Sequence, residues 1–216
     1  MVDRESETVP SVEPLATPPA SGRGVVGRAL QAAAASLVLI LLALLVWKVV
    51  GGTKGADLVA SIRNDEQPRA PAFRLNVIWP HTETWPEALK PAVDDGSVGL
   101  PELRGYPVVV NFWASWCVPC KREARAFGAS ARTHAGQVVF VGINVQDLRA
   151  AGRKFLAHYD VPYVSLHDGG DRTYSAYGLT GLPETYYLDR RGRVLRHDIG
   201  EVTRQELEQA IGKLTP

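Results

Sequence analysis

Cys117 and Cys120 are the only two cysteines of this 216-residue chain, and they stand together as Cys117-Val118-Pro119-Cys120. A pair at that spacing can exchange a disulfide with another molecule, supply half of a metal site, or close an inert local loop. A structural zinc site needs four ligands, and His81, His134, His158, His167 and His197 show no ligand-like spacing among themselves. Two cysteines are also too few for a disulfide-stapled scaffold. With no third cysteine, a working pair must trade electrons with some other molecule.

Val108-Val109-Val110-Asn111-Phe112-Trp113 is nearly continuous in apolar character, as a central strand buried on both faces would be. The turn Ala114-Ser115-Trp116 follows, and Pro119 to about His134 reads as a helix with Ala124, Phe127 and Ala131 on one face. The cysteines thus open a helix, whose free N–H groups and positive potential stabilise a thiolate. Cys117 is expected at the surface as the attacking nucleophile. Cys120, one helical turn on, is expected to be shielded and to resolve the mixed disulfide. Pro119 fits the first turn, where no amide hydrogen is needed.

Around this core, Phe73, Leu75 and Val77 alternate as in a strand, and the following stretch is broken by Pro80, Pro86 and Pro91. Residues 138–143 form a second buried strand. Asp147 is placed to cap a helix running through His158, with Leu148, Phe155 and Leu156 inward. Strands at 185–189 and 194–197 bracket Arg190-Arg191-Gly192 as a hairpin, and Thr203 caps a final helix carrying Leu207, Ala210 and Ile211. The order of elements is an α/β plan with a mixed sheet.

The first 28 residues carry Pro10, Pro14, Pro18 and Pro19 with no apolar period, and read as a disordered tail. Residues 29–50 form an apolar run that, as a helix, reaches roughly 33 Å, enough to span a bilayer core. Trp47 and Lys48 suit its interface end. A cleaved signal peptide is the rival reading, opposed by the long polar stretch before the run and by the lack of a small-x-small site after it. Residues 51–70 read as a linker and 71–216 as the folded domain. Arg23 and Arg28 before the span, against Lys54, Arg63 and Arg69 after it, do not set its orientation. Lys+Arg 24 against Asp+Glu 23 offers no electrostatic case for nucleic acid.

The run Asn111-Phe112-Trp113-Ala114-Ser115-Trp116-Cys117-Val118-Pro119-Cys120-Lys121-Arg122-Glu123 closely resembles the TlpA/ResA branch of the thioredoxin superfamily. So do Pro71-Ala72-Phe73-Arg74-Leu75, Leu103-Arg104-Gly105 and Gly181-Leu182-Pro183-Glu184-Thr185, so that the resemblance covers roughly Pro71 to the end. It implies a thioredoxin-like three-layer fold with a mixed central sheet, preceded by a single transmembrane helix. It also implies a membrane-anchored thiol–disulfide oxidoreductase of the cytochrome c maturation kind, working on the extracytoplasmic side. Its cofactor set would be none beyond the Cys117–Cys120 disulfide, with no metal. Its clients would be proteins with disulfides, apocytochrome c among them, and a membrane electron donor would recharge it.

Further roles follow from the same resemblance. Asn111 replaces the buried Asp of ordinary thioredoxins and cannot shuttle a proton. Glu123, three residues beyond the second cysteine, would accept a proton from Cys120 if burial raises its pKa. Pro183 matches a cis proline facing the disulfide, which would aim the Leu182 backbone at a client strand. Glu184 would meet a basic client, or else face solvent on its strand. Trp116 would offer an apolar contact beside Cys117, while Trp113 packs in the core. Arg125 departs from the family's helix-kinking Pro, which implies a straighter helix, and 76–99 is longer than the expected hairpin. Copper-site assembly, general disulfide reduction and a metal-carrier module are alternatives. A peroxidase is disfavoured by Val110 and Ala114, which stand where peroxide chemistry wants Pro and Thr or Ser.

Overall fold

A computed structural model describes residues 23–50 and 54–215. The expected disordered tail lies mostly outside the described residues, but its last part does not. Helix α1 runs Arg23–Val50, beginning six residues before the predicted start at Ala29. Beyond Pro19 nothing in the chain forbids a helix, and Val25 and Val26 extend the apolar run backwards. Within α1, Gly27–Val46 is long and apolar enough to cross a membrane, and none of it is buried.

The second compact unit spans Gly51–Pro216. Its elements are α2 (Lys54–Arg63), β1 (Arg74–Trp79), β2 (Ser97–Gly99), β3 (Val108–Trp113), α3 (Val118–Thr133), β4 (Val139–Val145), α4 (Arg149–His158), β5 (Ser165–Asp168), α5 (Arg172–Ala176), β6 (Glu184–Leu188), β7 (Val194–Ile199) and α6 (Arg204–Leu214). One seven-stranded sheet has the order β2-β1-β5-β4-β3-β6-β7. β3, β4 and β5 are parallel neighbours, and the outer pairs are antiparallel.

The alternation along β3 decides what lies beneath the cysteines. Val108, Val110 and Phe112 join the apolar cluster that includes Leu58, Leu103 and Tyr177 on one face. Val109 and Trp113 join the cluster of Cys117, Cys120, Phe127, Phe155 and Ile211 on the other. Asn111 lies between Val109 and Trp113 and shares their face, because side chains repeat every second residue. On that face β3 therefore presents one polar side chain, Asn111, between two apolar ones.

Several sequence expectations need correction. The segment read as linker contains α2, whose Leu58 is buried in the core, and residues 68–70 pair with the β7 end of the hairpin. The folded body thus starts well before Pro71. Leu148, expected inward, is 76% exposed, because Leu148 itself is the N-cap of α4 and its Cβ falls outside the helix's buried face. Asp147 makes no cap bond to α4 beyond the neighbouring Leu148 amide, and is used elsewhere. β5 and α5 were not anticipated. The 76–99 stretch is structural: the Trp85 indole, 2% exposed, donates to the Phe140 carbonyl at 2.9 Å, and β2 pairs back on β1.

α2 is held by a close backbone approach. Gly178 has φ +68°, and a Cβ there would lie 2.3 Å from the Gly55 carbonyl oxygen. Neither backbone can yield cheaply. Gly178→Ala is expected to destabilise the domain by about 3 kcal/mol, from left-handed strain plus overpacking. A denaturation midpoint unchanged from wild type would contradict this.

Candidate active site

β3 ends at Trp113 and the chain turns through Ala114-Ser115-Trp116 into α3, where Cys117 is the N-cap. Its Sγ accepts from the Cys120 amide at 3.2 Å, so sulfur takes the place of the usual capping oxygen. Cys117 and Cys120 are joined in a disulfide. The expectation of an open first sulfur is corrected: Cys117 is 3% exposed and Cys120 1%. What distinguishes Cys117 is its flanks, since Trp116 and Val118 are 56% and 58% exposed. The disulfide lies at the bottom of an apolar collar. α3 runs without interruption through Arg125.

A single carboxylate frames the turn. Asp147 accepts from the Ser115 amide at 2.7 Å, the Ser115 hydroxyl at 2.9 Å, the Asn144 side-chain amide at 2.9 Å and the Leu148 amide at 2.8 Å. The Trp116 indole donates to the Gln146 carbonyl at 2.9 Å, which tacks the collar to the same β4–α4 connection.

Glu123 sits one turn beyond Cys120 and is 3% exposed. Asn111 donates to one of its oxygens at 3.0 Å and the Val202 amide to the other at 3.1 Å. Burial pushes its pKa up to about 7, against the pull of those two donors. Asn111 also donates to the Thr185 hydroxyl at 3.1 Å. Cys120, Glu123, Asn111, Trp113 and Tyr163 line one cavity of about 10 Å³, close to the space that one water centre needs. Trp113 stacks on Phe155 with ring centroids 4.5 Å apart, in the core as expected.

The Leu182–Pro183 peptide is cis. Leu182 is half-buried and packs against the cluster that holds both cysteines. Among the described residues its N–H and C=O make no backbone hydrogen bond outside regular elements, whereas the Pro183 carbonyl accepts from Gly200 at 2.9 Å. Glu184 neither faces solvent nor offers itself to a client. It is fully buried, and accepts from the amides of Thr180 at 2.7 Å and Gly181 at 3.1 Å and is bonded to the His197 ring at 2.7 Å. Burial alone would raise its pKa, but the His197 and backbone bonds outweigh that and hold it below the ordinary value. Its place is under the loop, fixing the residues that lead into Leu182-Pro183.

Sequence reasoning missed Ser115, Asp147, Thr185, His197 and Val202 as neighbours of the site. Only Asp147 had a signal, an acid just before a helix, and that signal pointed to the wrong bond. Among the described residues, no group of three or more His, Cys, Asp or Glu is arranged to hold a metal ion.

The Redoxin family model matches residues 66–211. The thiol-disulfide oxidoreductase ResA of Bacillus cereus is 28% identical over 120 residues, covering 55% of this chain and 69% of that one. ResA of Oceanobacillus iheyensis is 27% identical over 184 residues, covering 84% and 87%. Among solved structures, a thiol:disulfide interchange protein DsbE from Chlorobium tepidum, described as putative in its name, is 26% identical with a TM-score of 0.58, covering 68% of this chain and 96% of that one. MTB DsbF, in mixed oxidised and reduced forms, is 28% identical with a TM-score of 0.56, covering 66% and 95%. With its disulfide at the mouth of α3 on a thioredoxin-like sheet, the chain belongs to the Redoxin family and is a thiol–disulfide oxidoreductase.

Proposed function

We propose that the chain is a membrane-anchored reductant of disulfides in exported proteins, with the haem-attachment cysteines of apocytochrome c as its clients. α1 is the anchor, the Redoxin domain works on the extracytoplasmic side, and a membrane electron donor restores the dithiol. The choice of client and compartment rests on the TlpA/ResA resemblance.

The observation that carries the mechanism is the placement of Glu123 in one cavity with Cys120, with a pKa of about 7. In the reduced protein, the Cys117 thiolate attacks one sulfur of the client disulfide. The client's other sulfur leaves as a thiolate and takes a proton from water. Cys120 gives its proton to Glu123, and its thiolate attacks the Cys117 sulfur, releasing the client as a dithiol and leaving the Cys117–Cys120 disulfide. Two electrons pass from protein to client. A carboxylate near neutrality suits that proton transfer, since neither its charged nor its neutral form is scarce at working pH. The collar of Trp116 and Val118, together with the open Leu182 backbone, would hold the client strand.

Glu123 serves Cys120 in either direction of exchange, so the potential sets which way electrons run. Equilibration of the full chain with glutathione or dithiothreitol redox buffers is expected to give a value below about −200 mV, in the range of thioredoxin and glutaredoxins. A value near −120 mV, that of a strong oxidant, would reverse the proposed direction.

A further inference from the structure

A groove of about 760 Å³ lies not at the disulfide but two strands away. β3, β4 and β5 are parallel, so their C-terminal ends lie along one edge of the sheet. The end of β3 leads to Cys117 and the end of β5 leads to Gly169-Gly170 in the groove. At about 4.8 Å per strand, the lateral offset is roughly 10 Å.

The groove is rich in cations. Arg74, Arg149 and Arg172 all line it. Arg74 is engaged by Asp95 and Glu102, but among the described residues Arg149 and Arg172 have no ion-pair partner. Asp168 lines it as well, with its oxygens already taken by the amides of Arg172, Thr173 and Tyr174. Asn76, Ser97 and Thr173 add neutral polar groups to the lining, and so does His167, 9% exposed. Asn144 must turn its amide hydrogens to the Asp147 carboxylate, so its oxygen faces His167 Nδ1 at 3.1 Å. Nδ1 therefore carries the ring proton and Nε2 is left with a lone pair. No donor among the described residues reaches it.

We propose that this groove binds an acidic segment of the client polypeptide while the client's cysteine is engaged at Cys117. Free guanidinium groups call for carboxylates, and a bare imidazole lone pair calls for an N–H. An anion without a proton, such as chloride or acetate, satisfies only the first, whereas an extended acidic peptide supplies both, with side chains for Arg149 and Arg172 and a backbone amide for His167. At about 3.3 Å per residue, acids about three to five residues from the client cysteine reach the groove. The inference rests on disulfide exchange at Cys117 and adds a preference among clients.

The test uses the full chain in a neutral detergent and two disulfide-looped peptides identical except for three residues at that distance, acidic in one and Asn/Gln in the other. The acidic peptide is expected to be exchanged with about threefold to tenfold higher kcat/KM at low salt, the range of two exposed ion pairs. That ratio should fall toward one as salt rises from roughly 0.02 to 0.5 M, and in the Arg149→Gln/Arg172→Gln variant at low salt. Equal rates in the wild type, or an unchanged ratio in the variant, overturn the groove alone. Loss of the ratio on adding inorganic phosphate at matched ionic strength would make this a small-anion site and overturn the peptide occupant. Exchange with neither peptide would overturn the oxidoreductase mechanism itself.

Discussion

Cys120→Ser is expected to stop the chain at a stable mixed disulfide between Cys117 and its client, with turnover reduced to solution background. The chain has two cysteines, so no third thiol can substitute for the resolving one. A serine hydroxyl at the same place is not ionised near neutral pH and cannot displace the Cys117 sulfur. Water is no substitute either, since disulfide exchange needs a thiolate nucleophile. Expressed in cells and resolved on non-reducing gels, the variant should carry adducts whose partners hold paired haem-attachment cysteines. Cys117→Ser should carry none, because Cys120 is 1% exposed and lines the enclosed cavity it shares with Glu123. Adducts with unrelated thiol proteins only would remove the cytochrome assignment. Undiminished turnover by Cys120→Ser would remove the mechanism.

Glu123→Gln is expected to slow resolution by about 100-fold, the lower end for loss of a positioned proton acceptor, and to erase an ionisation near pH 7 from the rate profile. The same change should alter stability with the opposite sign. The folded pKa of about 7 lies above the ordinary 4.5, so the protonated carboxyl is the form that the fold favours. Its contribution is fully present below pH 4.5 and is lost as pH rises through 7. Above that, the buried charge disfavours folding by up to about 3 kcal/mol, at 1.36 kcal/mol per pKa unit. Glutamine removes the charge, yet its NH2 must meet either Asn111 or the Val202 amide, both donors. The net gain is therefore smaller, about 1–2 kcal/mol at pH 8, and vanishes below pH 4.5. Thermal unfolding of the oxidised protein at the two pH values measures it. A variant less stable than wild type at pH 8 would mean that the two donors outweigh the buried charge.

The parts of the site that were legible are those written in local pattern. The apolar run of β3, the CxxC and the α3 face announce one another, whereas Glu123 was marked out by the family resemblance and not by local pattern. β5 was missed because it has four residues, three of them the polar Ser165, His167 and Asp168. α2 was missed because Gly51-Gly52 and a polar composition read as linker, while its docking depends on Gly178 more than a hundred residues away. Glu184 and Leu148 were each assigned to the wrong environment. The burial of Glu184 depends on the loop that closes over it, and the exposure of Leu148 on where α4 begins, neither of which a local period encodes.

The knot at Asp147 has a consequence for how this protein can change over generations. Ser115, Asn144, Asp147 and His167 share one chain of hydrogen bonds, from the redox turn at one end to the basic groove at the other. Altering any member strands a buried or half-buried partner, so the four positions are energetically coupled and single substitutions in them will not add. The redox turn and the groove therefore drift as one heritable unit: a lineage that retunes its client groove through His167 is pressed to retune the turn that carries its sulfurs.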